Sequence, residues 1–230
     1  MAGFKTHVTT STAIGVAYGA GALATYDVPL PSCVLAAGLC GVSGMLPDLD
    51  SEPGVPLRES VAFAAAVVPM LMLHRWHQLE LSRESIVLIC GAMYLLIRFG
   101  LGRLLTSFTV HRGMFHSVPA LAIVGELMYL ISSHENPWMR CFFAVAVMCG
   151  FASHLVLDEI WSVDMRHLRL KSSFGTAVKL WGDCWWANLF TYANVVLLAL
   201  LISQDQIARH DQPLPTKADM IATQKDDRAL

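Results

Sequence analysis

The stretch HRGMFHS, residues 111–117, places two histidines and an arginine between two long apolar runs. His111 and His116 can bind a metal or carry a proton, and Arg112 bears a permanent positive charge. Gly113 allows a tight turn or a close approach of the backbone to a ligand. Single histidines at membrane interfaces are common, but two beside an arginine at such a break indicate a metal site or a catalytic site.

A second pair, His154 and Asp158 in SHLVLD, is separated by four positions. On a helix this spacing puts both side chains on one face, one turn apart. The pattern is suited to metal binding, and it is equally typical of a structural hydrogen-bonded pair in a core. The spacing alone leaves both interpretations open.

Two further carboxylates, Asp48 and Asp50, follow Pro47 at a point where a helix cannot easily continue. Carboxylates this close repel each other unless a cation or protons neutralise them, although a solvated helix cap is the alternative. Together with His7, the candidates mix imidazole and carboxylate, which favours one or two divalent ions, zinc or manganese first. The candidate ligands are His7, Asp48, Asp50, His111, His116, His154 and Asp158.

The composition indicates what kind of protein must position these residues. Of the 230 residues, 55% are hydrophobic and 15% are charged, whereas soluble domains carry about 25% charged residues. A net charge of -2 at pH 7 and the lack of a basic stripe argue against a nucleic-acid partner. We therefore expect one membrane-embedded domain, and the N-terminus has no clean cleavage site of a signal peptide.

Apolar runs alternate with polar connections, and an all-α, multi-pass protein with about five to seven transmembrane helices is predicted. Residues 1–203 form the predicted membrane domain, and residues 204–230 form a polar, disordered tail. The charged and tryptophan-containing segment from Asp158 to Asp183 is expected to form a loop on the membrane surface. The seven apolar runs are Ser11–Tyr26, Pro31–Leu46, Val61–Leu73, Ser85–Leu101, Val118–Ile131, Met139–Leu157 and Trp186–Ile202.

If all seven runs span the membrane, the connections alternate between its two faces. The N-terminus with His7, the PDLD loop, the HRGMFHS loop and the segment after Asp158 then share one face. This parity predicts one shared site at the interface, where membrane lipid is the expected partner. Counting lysines and arginines in the connections places that face toward the cytoplasm.

The motifs, in this order, resemble the YdjM-like family of membrane-bound metal-dependent hydrolases. The matching residues are His7, Leu46–Asp50, His111–Ser117 apart from Met114 and Phe115, and Ser153–Asp158. The resemblance covers about the first 165 residues. It implies a small multi-pass helical protein of the inner membrane with a metal-dependent hydrolase activity of unspecified substrate.

This chain departs from the family pattern at two positions. Ser51 stands where many members have histidine after the second aspartate, so any ligand role there is lost or passes to Glu52. Phe115 replaces a threonine before the second histidine of HRG-x-x-HS, which removes a hydroxyl contact. The segment from Ile160 to Trp186 follows no family pattern and takes no role from it.

The resulting hypothesis is a membrane-embedded metal-dependent hydrolase acting on a lipid-linked phosphoester. Arg112 would stabilise developing negative charge, and His7 would be a further ligand or the general base. A divalent-metal or proton transporter is the first alternative, because ionisable residues at membrane depth also mark ion pathways. A di-iron lipid hydroxylase or desaturase is the second, and the nine histidines, with no adjacent pair, count against it.

Overall fold

The fold was analysed in a computed structural model, which describes residues 3–50, 55–101, 114, 116–164, 169–170 and 178–210. Helices occupy nearly all of these ranges, and the prediction of an all-α fold is confirmed. A 3-10 turn at Leu46–Asp50 follows α2, and a π-helical turn at Leu96–Leu101 follows α5. The helices are α1 (Phe4–Tyr26), α2 (Leu30–Ser43), α3 (Val55–Leu71), α4 (Leu73–Gln78), α5 (Arg83–Leu95), α6 (Val118–Ile131), α7 (Pro137–Ser162) and α8 (Trp185–His210).

Four segments of the described chain are long and apolar enough to cross a membrane, and α6, with 14 residues, is a shorter apolar helix. A span needs about 20 residues at 1.5 Å each. The chain is therefore a multi-pass helical membrane protein. The four segments are Leu30–Asp48, Leu57–Gln78, Pro137–Ser162 and Trp185–Ile207.

Helices α1 and α2 pack backbone against backbone through glycines. A Cβ atom added at Gly15 would lie 2.7 Å from the Ala37 carbonyl oxygen, and one at Gly19 would lie 2.8 Å from that of Cys33. Neither position has room for a side chain. Small residues of this kind let helices approach closely in lipid, where apolar burial from water does not drive association.

The long helix α7 joins this pair at Gly150. A Cβ there would collide with the Cys40 carbonyl oxygen and the Ser43 hydroxyl, both in the last turn of α2. On the other side, Ser11 of α1 donates a hydrogen bond to the Gly41 carbonyl oxygen at 2.9 Å. Three helices thus meet with little space between them, one turn away from His154.

Two predicted boundaries differ from the structure. Helix α7 continues past Leu157 to Ser162, so the start of the predicted surface segment is helical. Helix α8 runs to His210, past the predicted boundary at residue 203, because Asp205 pairs with Arg75 and Arg140 inside the bundle. A short antiparallel pair, β1 (Val163–Asp164) and β2 (Arg169–Leu170), follows α7. Residues 211–230 lie outside the described residues.

Candidate metal centre

Five of the predicted ligands lie together at one end of the bundle. Four of them come from three separate helices or turns, since α1 supplies His7, the 3-10 turn supplies Asp48, and α7 supplies His154 and Asp158. His116 lies just before α6. Four of the five residues are at least 95% buried, and the Asp48 side chain is 26% exposed. The group contains two overlapping sets of possible metal ligands, His7–His154–Asp158 and Asp48–His116–His154.

Local structure explains how each of the acidic ligands reaches the cluster. The chain bends after α2, where Gly44 packs on Ser11 of α1 without room for a side chain. The 3-10 turn then begins with Leu46 and the fully buried Pro47 and directs Asp48 toward α7. Asp158 follows His154 by one helical turn, so both side chains leave α7 on the same face.

The orientation of the His154 ring is set by a carbonyl group. His154 Nδ1 lies 2.7 Å from the Gly44 carbonyl oxygen, which can only accept a hydrogen bond, so Nδ1 carries the hydrogen. In the neutral ring Nε2 then bears a lone pair. That lone pair faces Asp158 Oδ2 at 3.5 Å and Asp48 Oδ1 at 3.6 Å, and Nε2 has no hydrogen-bond partner among the described residues.

His154 Nε2, Asp158 Oδ2 and Asp48 Oδ1 all carry lone pairs that face one another inside the protein. These atoms repel unless a cation lies among them. The cation can be a proton on Nε2 or a metal ion. A metal-ligating histidine usually donates its other ring N–H to a carbonyl or carboxylate, as His154 does to Gly44. The orientation of this ring is therefore the one that a metal ligand requires.

The spacing of three ligand atoms, on Asp48, His116 and His154, also fits a small divalent ion. Asp48 Oδ1 lies 3.5 Å from His116 Nε2 and 3.6 Å from His154 Nε2. Ligands at about 2.1 Å from a tetrahedral zinc ion lie about 3.4 Å from one another. Asp158 Oδ2 lies 3.5 Å from His154 Nε2 and 4.0 Å from His116 Nε2, and Asp158 belongs to the other possible ligand set, with His7 and His154.

His7 lies beside this group. Its ring stacks on that of His154 with centroids 3.7 Å apart, and its Nε2 lies 3.3 Å from Asp158 Oδ1. The two carboxylate oxygens of Asp158 are thus divided, with Oδ1 toward His7 and Oδ2 toward His116 and His154. His7 is placed to orient Asp158 and to exchange a proton with it.

The side chains of the other predicted site residues lie outside the described part of the structure. Asp50 ends the 3-10 turn, and its side chain lies outside the described part of the structure. His111 and Arg112 lie outside the described residues, as does Phe115. Whether these residues join the cluster stays a prediction.

Some residues of the site region were not found from the sequence. One is Gly44, whose carbonyl oxygen orients His154. Because a carbonyl is a backbone group that every residue carries, no residue type in the sequence indicates this role. Asn188, which is fully buried, also was not singled out. A lone asparagine inside an otherwise apolar run is the signal that could have identified it.

The fold and the cluster define a multi-pass helical membrane protein with buried histidine and aspartate residues that could hold a metal ion. The chain belongs to the YdjM inner membrane protein family, whose model matches residues 1–210. The match extends beyond the portion that the motifs alone covered and places the protein in the inner membrane. No curated protein and no solved structure matches the chain.

Proposed function

We propose that this protein is a membrane-embedded, metal-dependent hydrolase whose ion is held by the set Asp48–His116–His154, with Asp158 as a proposed fourth ligand. The observation that supports this most directly is the His154 ring, whose Nε2 faces two carboxylate oxygens while Nδ1 bonds to Gly44. A divalent cation at this place would be attracted to the carboxylates of Asp158, which is buried, and of Asp48, which is partly buried.

The donor set favours zinc, with manganese next, because imidazole nitrogen and carboxylate oxygen suit both ions and a four-ligand tetrahedral arrangement suits zinc. His154 has a single ring nitrogen free for a metal, so it serves one of the two overlapping ligand sets at a time. The described residues thus favour one ion. A second ion would need His7, Asp158 Oδ1 and further ligands such as Asp50 or His111.

When bound, a divalent metal supplies Lewis-acid activation of water and of a phosphoryl or carbonyl oxygen. The protein residues supply the rest. His7 is the proposed general base, since its Nε2 is within reach of Asp158 and its ring is held by stacking on His154. Arg112 is the proposed stabiliser of negative charge on the substrate. Hydrolysis adds hydroxide to the reacting phosphorus and a proton to the leaving oxygen, so no oxidant or reductant is needed.

A lipid-linked phosphoester is the proposed substrate class. The segment beside His116 and the start of α8 carry exposed aromatic residues, Trp181, Trp185 and Trp186. Tryptophan concentrates at the headgroup level of membranes, which supports a site at that depth. If all seven predicted runs span the membrane, the lysine and arginine count in the connections supports a cytoplasmic orientation of this end.

A divalent-metal or proton transporter is the competing proposal, and the burial of His154 and Asp158 in a candidate span favours it. Purified protein in liposomes separates the two functions. Metal uptake that depends on His116 and Asp158, without cleavage of any phospholipid or phosphoester, would replace the hydrolase proposal with the transporter.

The metal itself is tested first by elemental analysis of the purified protein. We expect about one zinc or manganese ion per chain in the wild type and none in the D48A/H154A variant. The matched control is H74A/E135A, which removes a His–Glu pair at 3.4 Å on the exposed surface and leaves the cluster intact. Equal metal content in all three proteins, or none in the wild type after reconstitution with zinc or manganese, would contradict the proposal.

A further inference from the structure

Residues 178–184, here called the 178–184 segment, lie against the turn that carries His116. Ser117 forms a parallel bridge with Lys179, and the Val118 N–H donates a hydrogen bond to the Lys179 carbonyl oxygen at 3.1 Å. The residues directly after His116 are therefore tied to this segment by backbone contacts. The sequence patterns and the family resemblance assign the segment no role.

Met114, two residues before His116, lies against the same segment. Met114 is buried, and a Cβ added at Gly182 would lie 3.1 Å from its sulfur atom. The Ser117 hydroxyl donates to the Met114 carbonyl oxygen at 2.5 Å and accepts from the Ala120 N–H, which caps the start of α6. His116 thus lies between two residues that the 178–184 segment holds on either side.

Two side chains of α8 hydrogen-bond to the segment: the Tyr192 hydroxyl donates to the Leu180 carbonyl oxygen at 2.7 Å, and the buried Asn188 bonds to Gly182. Asn188, in the first turns of α8, is 0% exposed and makes two hydrogen bonds of 2.8 Å with Gly182. Its Oδ1 accepts from the Gly182 N–H, and its Nδ2 donates to the Gly182 carbonyl oxygen. A buried amide satisfied at both ends by one backbone residue is a rigid connection, and its loss would leave both backbone groups unpaired.

We propose that Asn188 is a positioning residue for His116, acting through Gly182 and the 178–184 segment. The inference rests on the proposed metal site, because it assigns His116 as the ligand being positioned. On one side of His116, Asn188 bonds to Gly182, and Gly182 lies against Met114. On the other side, Lys179 of the same segment contacts Ser117 and Val118. Partners that orient a metal ligand in this way change metal affinity without touching the ion.

The first test compares N188A with T191V in the full-length protein. Thr191 lies one turn further along α8, is 92% buried and donates only to the Ala187 carbonyl oxygen, so T191V removes a buried hydrogen bond from the same helix without reaching the segment. Zinc affinity is measured by competition with a chelating dye. We expect N188A to weaken zinc binding by about 10- to 100-fold and T191V to leave it unchanged.

A second readout needs no metal. The rate at which diethyl pyrocarbonate modifies His116 in the metal-free protein is followed by mass spectrometry, with the exposed His134 as an internal reference. We expect faster modification of His116 in N188A and an unchanged rate in T191V. If N188A does not fold, G182A replaces it, because its added Cβ would lie 3.1 Å from the Met114 sulfur atom, which must then shift by a few tenths of an ångström.

The outcomes are distinct. Wild-type zinc affinity together with a wild-type His116 modification rate in N188A overturns the inference. Equal changes in N188A and T191V also overturn it, since they would show only a general weakening of α8. If the wild type binds no metal, the proposed function fails, and an unchanged His116 modification rate would then separately reject the positioning role.

Discussion

Helix α7 carries buried ionisable residues near both of its ends, and the two groups are built on opposite principles. Arg140 lies one turn from the start of α7 and is 0% exposed, and His154 near the other end is equally buried. Fourteen residues separate them, which is about 21 Å along the helix. The residues around Arg140 stabilise the bundle, whereas those around His154 are suited to binding an ion.

At the Arg140 end, opposite charges meet directly. Arg140 pairs with one oxygen of Asp205, and Arg75 lies 3.1 Å from the other oxygen. Arg140 Nε donates to the Tyr129 carbonyl oxygen at 3.0 Å, and its guanidinium carbon lies 4.2 Å from the centre of the Tyr129 ring. These contacts join α4, α6, α7 and α8 with charges supplied by the protein itself.

At the His154 end, the described side chains bring carboxylates and imidazoles together. Asp48 and Asp158 both direct an oxygen at His154 Nε2, and the Gly44 carbonyl oxygen accepts the hydrogen of Nδ1. Imidazole nitrogen and carboxylate oxygen atoms that converge in this way are the ligands that zinc and manganese take. The chemistry of these ligands is what favours a bound ion at this end.

The largest effect is expected when the Arg140 end loses its carboxylate. D205A leaves a fully buried guanidinium without this partner, and breaking a buried ion pair typically costs about 3–5 kcal/mol. We expect a lower unfolding temperature in detergent, with metal content unchanged. Loss of metal from D205A in protein that is still folded would show that the two ends are not independent.

A smaller loss of stability is expected when the ion is removed from the His154 end. Metal at about 100 times its dissociation constant stabilises a folded protein by about 2.7 kcal/mol. Chelation should therefore lower the unfolding temperature of the wild type and leave that of D48A/H154A unchanged. If the chelator changes the unfolding temperature of both proteins equally, the cluster is neutralised by protons. The His154 end would then not differ from the Arg140 end by a bound ion.

The third prediction concerns the helix contact that brings the metal ligands together. G150A places a methyl group against the Cys40 carbonyl oxygen and the Ser43 hydroxyl, so α2 must shift relative to α7, at a typical cost of about 1–3 kcal/mol. The shift moves the Gly44 carbonyl away from His154, so zinc affinity should fall together with stability. G91A is the control, because nothing lies within 4 Å of its added Cβ. If G150A is less stable but binds zinc as tightly as the wild type, the packing of α2 on α7 does not control the metal site.

Much of the site could be predicted because its residue types are unusual for their surroundings. Histidine and aspartate are costly inside apolar helices, so His154 and Asp158 stand out in α7 at a spacing that fixes them on one face. Asp48 and His116 were singled out by other patterns, two close carboxylates after Pro47 and two histidines beside an arginine at a break between apolar runs. Asp205 was assigned to a disordered tail instead, since its local sequence is polar and its partners Arg75 and Arg140 are distant in sequence.

The sequence by itself determined the helical membrane class and the candidate ligands, because apolar runs and the four-residue spacing are local properties of the chain. Only the tertiary structure decided which ligands meet and how they are oriented. The Gly44 carbonyl turns His154 so that its free nitrogen faces Asp48 and Asp158, and Asn188 holds the segment beside His116. These contacts join residues far apart in the chain through backbone groups, which have the same chemistry at nearly every position and become specific only when helices pack.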